Sequence, residues 1–307
     1  MGSDEAIDAL IRTFCVPGKD KILTCPPTYG MYSVSAQVND IALVTVPLLL
    51  PGFSLDIPAI TAALQSDPHI KVAYLCSPGN PTGALLQKSH VQQLLTQNWN
   101  GILILDEAYI DFAPEQASLA EWVAEWPNLV VLQTLSKAFG LAGLRLGAAF
   151  TSPPIARLLN AIKAPYNIPT PTSQLARAAL HPHHLSVMRT NKERIVRQRD
   201  RLLAQLPRIP GMGTLHGGTE SNFLLYTVLD APGGRPSNEV ALAVYERLAE
   251  RRGVVVRFRG REHGCEGCLR ITVGTEEEVD RLLEALRGAL ADVYNMRKEK
   301  EASAVVA

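Results

Sequence analysis

The sequence lacks a hydrophobic run long enough to cross a membrane. Its longest apolar stretch, residues 41–53, is interrupted by Pro47 and Pro51, whereas a bilayer-spanning helix needs about 20 mostly apolar residues. Net charge is also lacking, because 30 Lys and Arg residues balance 30 Asp and Glu residues. A neutral chain has no overall field that attracts nucleic acid or an anionic membrane. We therefore predict no nucleic-acid or membrane partner, and small molecules as substrates.

Cysteine is scarce as well. The chain has five cysteines spread over 307 residues, and this odd number indicates free thiols rather than a disulfide framework. The first ten residues, MGSDEAIDAL, lack the basic start and apolar middle of a secretory signal. Both features predict a cytoplasmic protein.

Two groups of potential metal ligands are incomplete. Cys265 and Cys268 form a lone C-x-x-C motif without the second pair that a zinc site needs. His181, His183 and His184 have no Cys or Asp cluster nearby. We predict no metal site, a loop at the cysteines and solvated histidines in a linker.

Short apolar runs alternate with amphipathic segments through the first part of the chain. This alternation predicts an α/β fold, with a mainly parallel sheet flanked by helices over residues 1–184. A smaller α+β domain is predicted over 185–300 and a disordered tail over 301–307. The predicted strands are 21–25, 72–77, 101–109, 128–134, 144–150, 221–228, 253–258 and 269–274. The predicted helices are 4–16, 29–38, 57–66, 87–97, 153–163, 185–206, 237–252 and 275–297.

Three predicted strands of the first domain end in polar residues. CSPGNPTG (76–83) contains Asn80, DEAY (106–109) contains Asp106 and Tyr109, and TLSK (134–137) ends in Lys137. Because ligands of open α/β sheets bind at the carboxyl ends of the strands, we expect these side chains to converge on one edge.

A lysine among apolar neighbours suggests covalent chemistry. Burial lowers the pKa of an amine, and a neutral amine attacks aldehydes. Pyridoxal phosphate is the common aldehyde cofactor bound in this way, and its pyridine nitrogen needs an acidic partner. We predict Lys137 as the Schiff-base residue and Asp106 as that partner, with Asn80 and Tyr109 donating to the ring oxygen and Tyr29 over the ring face.

The phosphate of such a cofactor needs N–H donors and a cation. GSDEAIDALIRTF provides a glycine followed by a helix start, with Ser3 predicted as the N-cap. Ser136 adds a hydroxyl group and Arg145 a forked cation. Taken singly, the residues of the whole predicted site have ordinary interpretations, since Asp106 could cap a helix, Asn80 could serve a β-turn and Tyr29 could belong to the core.

The combination resembles the histidinol-phosphate aminotransferase family, within the fold-type I (class II) pyridoxal-phosphate aminotransferases. The similarity covers nearly the whole chain, and its motifs occur in the family's order: GSDE (2–5), CPPTYGMY (25–32), SPGNPTG (77–83), DEAYIDF (106–112), TLSKAFGLAGLRLG (134–147), APYNIPTP (164–171) and CLRITVG (268–274).

The resemblance implies transamination between histidinol phosphate and 2-oxoglutarate by a homodimer, in histidine biosynthesis. It implies Lys137, Asp106 and Tyr109 as catalytic residues, and Arg257 and Arg270 as the site for the anionic end of the substrate. Both arginines could instead form structural salt bridges, and this alternative applies more strongly to Arg257. The implied cofactor-binding residues are Ser3, Asp4, Tyr29, Asn80, Asp106, Tyr109, Thr134, Ser136, Lys137 and Arg145.

Members of this family carry a sizeable segment before GSDE. That segment supplies a substrate-contacting loop, part of the small domain and a tyrosine that reaches the cofactor phosphate of the partner subunit. Here Met1 directly precedes Gly2, so we expect this chain to lack those contacts. Two alternatives stay open: another enzyme of the same scaffold, such as a threonine-phosphate decarboxylase or an aromatic aminotransferase, and an inactive truncated remnant.

Overall fold

The computed structural model describes residues 2–306, without the side chains of 300–302 and 304–306. The chain forms two compact units that divide between Lys192 and Glu193. This division lies within the helix Pro182–Gln205. The boundary predicted at 184/185 falls near the start of the same helix.

The first unit contains a six-stranded sheet. Its strands are β1 (Lys21–Thr24), β2 (Ala42–Thr45), β3 (Ile70–Cys76), β4 (Ile102–Asp106), β5 (Leu129–Thr134) and β6 (Gly147–Thr151). They are ordered β2-β1-β3-β4-β5-β6, and all pairs are parallel except β5 with β6. The predicted α/β class with a mainly parallel sheet is confirmed.

Seven α-helices lie before, between and after these strands in the described part of the first unit and at its boundary. They are α1 (Ser3–Phe14), α2 (Met31–Val38), α3 (Ile57–Ser66), α4 (Lys88–Leu95), α5 (Pro153–Ile162) and α6 (Thr170–Ala179), followed by α7 (Pro182–Gln205). Residues of β3, β4 and β5 are almost all buried, as expected for central strands covered on both faces.

Helix α1 is fixed to this sheet by one apolar face. Ile7, Leu10 and Ile11 have the spacing of that face and are fully buried. They belong to a core that includes Tyr74 of β3 and Val130 of β5. The packing therefore sets the position of the amino end of α1.

The second unit contains an antiparallel sheet of order β7-β8-β10-β9. Its elements are β7 (Met212–His216), β8 (Phe223–Val228), α8 (Asn238–Arg252), β9 (Arg257–Phe258), β10 (Cys268–Thr272) and α9 (Glu276–Val306). Helix α9 extends beyond the predicted 275–297, since no Gly or Pro interrupts residues 298–306. The predicted tail over 301–307 overlaps this helix, and Ala307 lies outside the described residues.

Among the strands and α-helices of residues 2–306, three were not predicted: β2, α6 and β7. Strand β2 lies at the sheet edge and is largely exposed, so the apolar run that contains it shows no inward–outward alternation. Among residues 2–306, no helix has the length and apolar character needed to span a membrane.

Candidate active site

A cavity of about 130 Å³ lies at the carboxyl ends of the central strands of the first unit. The strand ends and the amino end of α1 supply its wall. The lining residues are Ser3, Asp4, Tyr29, Cys76, Asn80, Asp106, Ala108, Tyr109, Thr134, Ser136, Lys137, Ala142 and Arg145. All ten predicted cofactor residues are thus brought together around one cavity.

Asp106 forms the buried end of the cavity. Its side chain is the last of β4, and the residue is only 3% exposed. The Tyr32 hydroxyl donates to Oδ2 at 2.7 Å, and the backbone N–H of Ala108 donates to Oδ1 at 3.1 Å. Burial raises the pKa of Asp106 to about 6, although both hydrogen bonds lower it. Among nearby charges, Asp4 raises this pKa and Lys137 lowers it.

Tyr32 is a site residue that the sequence did not indicate. It is fully buried, stacks on the Tyr74 ring with 4.7 Å between centroids, and contacts the edge of Tyr29 at 5.6 Å. A signal did exist, because Tyr32 stands only three residues after Tyr29 in the CPPTYGMY motif. Cys76 and the backbone of Ala108 were also missed.

Lys137 lies between the two ends of the cavity. It follows β5, is partly buried, and places Nζ 5.2 Å from the centroid of the Tyr109 ring. Tyr109 itself is 6% exposed. The lysine is in a tight turn, in which the Gly140 N–H donates to the Lys137 carbonyl at 2.9 Å. The amino group of Lys137 therefore faces the ring of the tyrosine predicted to act with it.

Asn80 is placed by the turn that follows β3. The Gly83 N–H donates to the Gly79 carbonyl at 2.8 Å and closes this turn. Asn80 is 7% exposed and lines the cavity. Next to it, burial raises the pKa of Cys76 to about 12, so this thiol stays neutral.

The opposite end of the cavity is open to solvent. Arg145 contacts Asp4 at 3.4 Å, and their side chains are 45% and 40% exposed. The Tyr29 hydroxyl donates to the other Asp4 oxygen at 3.0 Å. The Thr134 hydroxyl donates to the Ser136 hydroxyl at 2.9 Å, and both residues line the cavity.

The prediction of Ser3 as N-cap is wrong. Ser3 is the first residue of α1, and Gly2 is the cap, with φ of 73°. This left-handed conformation favours glycine, and the Gly2 N–H donates to the Arg145 carbonyl at 2.8 Å. Arg145 also has a positive φ, of 51°. The helix start and the arginine therefore hold each other in place through backbone atoms.

Gly147 allows β6 to pass close to the start of α1, which is a second backbone contact at this end of the cavity. A Cβ atom at this position would lie 2.7 Å from the backbone nitrogen of Ser3 and 3.0 Å from the Gln133 carbonyl oxygen. Only a residue without a side chain lets β6 pass this close to the start of α1.

Arg257 and Arg270 belong to the second unit. They are paired across β9 and β10, so that both side chains start from the same face of the sheet. Arg270 lies 4.8 Å from the centroid of the Phe223 ring. Arg257 is exposed and Arg270 is partly buried.

No residue of the two incomplete metal motifs is among those that line the cavity. Cys265 and Cys268 are buried in a turn in which the Cys268 N–H donates to the Cys265 carbonyl at 2.9 Å. His183 and His184 lie in the first turn of α7 rather than in a linker, because the helix begins at Pro182. Within the described part of the chain, no three His, Cys, Asp or Glu side chains are grouped so that they could hold a metal ion.

Comparison with known proteins agrees with this arrangement. Residues 1–286 match the family model for aminotransferase class I and II. The chain is 52% identical over 299 residues to histidinol-phosphate aminotransferase of Schizosaccharomyces pombe, with 97% of this chain and 78% of that protein covered. It is 42% identical over 287 residues to the Escherichia coli enzyme of the same name, covering 93% and 76%.

A solved structure has the same fold. Histidinol-phosphate aminotransferase from Sinorhizobium meliloti, in complex with pyridoxal-5'-phosphate, superposes with a TM-score of 0.84 at 24% identity, covering 95% of this chain and 76% of that one. The family model and the sequence relatives establish the relationship, and the structural likeness establishes the fold. This chain belongs to the class I and II aminotransferases, in the group of the histidinol-phosphate aminotransferases.

Proposed function

We propose that this protein transfers the amino group between histidinol phosphate and 2-oxoglutarate, using pyridoxal phosphate, in histidine biosynthesis. One observation carries the proposal: Lys137, Asp106, the amino end of α1 and Arg145 line one cavity. The chain that forms this cavity is 52% identical to a histidinol-phosphate aminotransferase. A threonine-phosphate decarboxylase or an aromatic aminotransferase is not favoured by the sequence relatives.

The chemistry of the cavity fits this cofactor. A pyridine nitrogen needs a buried carboxylate, and Asp106 is one. A phosphate needs N–H donors and a cation, and the first-turn N–H groups of α1 have no acceptor within the helix. Ser136 and Arg145 add a hydroxyl and a guanidinium. Lys137, between these ends, provides an amine that can react with the aldehyde carbon.

When bound, the cofactor supplies an electron sink that makes the Cα proton of an amino donor acidic. Asp106 would accept a hydrogen bond from the ring nitrogen and so favour its protonated form. Asn80 and Tyr109 would hold the ring oxygen, and Tyr29 would contact the ring. Lys137 would move the proton from Cα to the aldehyde carbon of the cofactor, as general base and then acid.

Asp4 has a different role at the open end. A carboxylate repels a phosphate dianion, so Asp4 is not suited to direct contact with it. Its two oxygens instead meet the Tyr29 hydroxyl and the Arg145 guanidinium. We assign to Asp4 the task of orienting these two side chains.

The paired arginines of the second unit suit an anionic substrate end. Two cations directly opposite each other on neighbouring strands repel, and this repulsion is relieved when an oxyanion binds between them. Their planar forks pair with either a phosphate or a carboxylate. We therefore propose that Arg257 and Arg270 bind the anionic group of each substrate, which is a phosphate in one and a carboxylate in the other.

We further propose a cytoplasmic homodimer. The five cysteines are free thiols, which suits a reducing compartment. A second hollow in the first unit is lined by apolar side chains near the Lys137 turn, among them Phe139, Leu144 and Val187. A second copy of the chain would cover this surface, and light scattering in solution tests for twice the mass of 33.4 kDa.

One assay tests the proposed reaction. The protein, loaded with pyridoxal phosphate, is incubated with histidinol phosphate and 2-oxoglutarate, and glutamate is measured. Formation of glutamate that depends on both substrates supports the proposal. No glutamate, with carbon dioxide released from threonine phosphate, would assign the decarboxylase instead, and no reaction with either would favour an inactive remnant.

A further inference from the structure

Tyr32 holds the carboxylate at the buried end of the cavity. We infer that Tyr32 is a positioning residue, whose hydroxyl fixes the orientation of Asp106 and favours its ionised form for the cofactor's ring nitrogen. The part about the ring nitrogen rests on the proposed function. The part about Asp106 depends only on the contact of these two side chains.

The geometry allows little freedom to this carboxylate. Tyr32 donates to Oδ2 at 2.7 Å from α2, and Ala108 donates to Oδ1 at 3.1 Å from the backbone after β4. Two donors on different oxygens fix the side-chain torsion of Asp106. Each oxygen keeps a further lone pair for a ligand in the cavity.

The tyrosine is itself held firmly. Its ring is fully buried and lies nearly parallel to the Tyr74 ring, at 14° between planes. Tyr74 in turn donates to the Ile7 carbonyl of α1 at 2.7 Å. Because the Tyr32 side chain is fully buried, water has little access to the position of its hydroxyl if that hydroxyl is lost.

The hydroxyl stays a donor over the working pH range. Burial raises the pKa of Tyr32 well above its usual value, and the negative charge of Asp106 raises it further. The titratable groups near Asp106 are Tyr29 before α2, Tyr32 at the start of α2, Tyr74 and Cys76 from β3, Asp4 from α1 and Lys137 after β5. Among these, Tyr32 is the neutral group that donates a hydrogen bond to the carboxylate.

The same segment orients the other end of the cavity. Tyr29, three residues before Tyr32, donates to Asp4 at 3.0 Å. The segment from Tyr29 to Tyr32, which leads into α2, therefore contacts both acids of the site.

The test measures Asp106 directly in the cofactor-free full-length protein. The ¹³C signal of its carboxyl group, assigned by its loss in Asp106→Asn, is followed against pH, with a wild-type midpoint of about 6. Tyr32→Phe keeps the ring and removes the hydroxyl, so we expect the midpoint to move upward by about one pH unit.

Two further variants make the result decisive. Tyr74→Phe removes a buried hydroxyl from the same ring stack without touching Asp106, and it should leave the midpoint in place. Replacing Tyr32 by 3-fluorotyrosine keeps ring and hydroxyl but makes the phenol a stronger donor, so the midpoint should fall. An unchanged midpoint in both Tyr32 variants, or an equal shift in Tyr74→Phe, would overturn the inference.

Kinetics separate this inference from the proposed function. In the loaded enzyme, Tyr32→Phe should lower kcat about tenfold and leave KM for the amino donor within about twofold. A wild-type protein without transaminase activity would refute the proposed function but not the titration result. An equal loss of kcat in Tyr74→Phe would indicate a merely structural effect and contradict the positioning role.

Discussion

The Asp106 end of the cavity is closed to water, whereas the Arg145 end is open. Asp106 is 3% exposed and held by two short hydrogen bonds, but the Arg145 and Asp4 side chains are 45% and 40% exposed. Buried polar groups interact strongly and titrate abnormally, while exposed ion pairs contribute about 1 kcal/mol or less. The closed end should therefore respond to pH and the open end to salt.

The open end obtains its precision from the backbone instead. The Gly2 N–H donates to the Arg145 carbonyl, and both residues have positive φ. β6 passes the start of α1 at Gly147, where no Cβ fits. The Asp106 end is thus fixed by contacts between buried side chains. The Arg145 end has exposed side chains and is fixed by contacts between backbone atoms.

The largest effect on activity is expected at Lys137, between the two ends of the cavity. Lys137→Ala removes the group that moves the proton, so kcat for glutamate formation should fall about 10⁴-fold. The exposed Lys19 provides the control, since Lys19→Ala should leave activity unchanged. Retention of even a tenth of the activity in Lys137→Ala would show that another base does the work.

A smaller loss is expected at the closed end. Asp106→Asn should lower kcat/KM by about 10²–10³-fold, because the ring nitrogen loses its charged partner. Glu107→Gln is a matched control, since Glu107 is an adjacent buried acid that binds Leu119, Ser118 and Gln133. Equal losses in the two variants would mean that general damage, not the ring contact, explains the effect.

The pH response of the closed end can be measured as stability. The pKa of Asp106 is raised from 3.8 to about 6, so the folded protein holds this proton more tightly than the unfolded chain. The resulting stability is fully present below about pH 4 and is lost as pH rises through 6. Urea unfolding of cofactor-free protein should show wild type losing about 3 kcal/mol relative to Asp106→Asn between pH 4 and 7. A pH-independent difference would contradict the burial of an ionisable Asp106.

Backbone precision at the open end is tested by one methyl group. In Gly147→Ala, Cβ meets backbone atoms of Ser3 and Gln133 that cannot rotate away, so the affinity for pyridoxal phosphate should fall about tenfold. Gly143→Ala adds the same methyl group where no heavy atom lies within 4 Å. Equal affinities of these two variants would show that the close approach is not needed.

The smallest effect is expected for the exposed cation. Arg145→Ala should weaken pyridoxal-phosphate binding about fivefold at low salt, and by less at 0.5 M salt, because solvent and ions screen the charge. Binding titrations at two salt concentrations check this. A loss that does not depend on salt would place Arg145 in a drier environment than the structure shows.

Sequence patterns predicted the central part of the fold and most of the cavity. Strands β3, β4 and β5 are mostly apolar, and Asn80, Asp106 and Lys137 lie at or beyond their ends, so local sequence was enough to predict that they meet at one edge. Strand β2 was not predicted, because at its exposed edge position apolar and polar residues do not alternate. Tyr32 was not predicted as a site residue, because its contact with Asp106 joins positions 74 residues apart in the sequence. The N-cap was assigned to the wrong residue, because Gly2 is held by Arg145, which is distant in the sequence.

The central claim is that Lys137 and Asp106 act on one cofactor molecule. Borohydride reduction of the loaded wild-type protein, followed by peptide mass mapping, tests it most directly. The account predicts one cofactor adduct per chain, on Lys137, and a lower yield in Asp106→Asn at limiting pyridoxal phosphate. Modification of a different lysine, or an equal yield in Asp106→Asn, would contradict it.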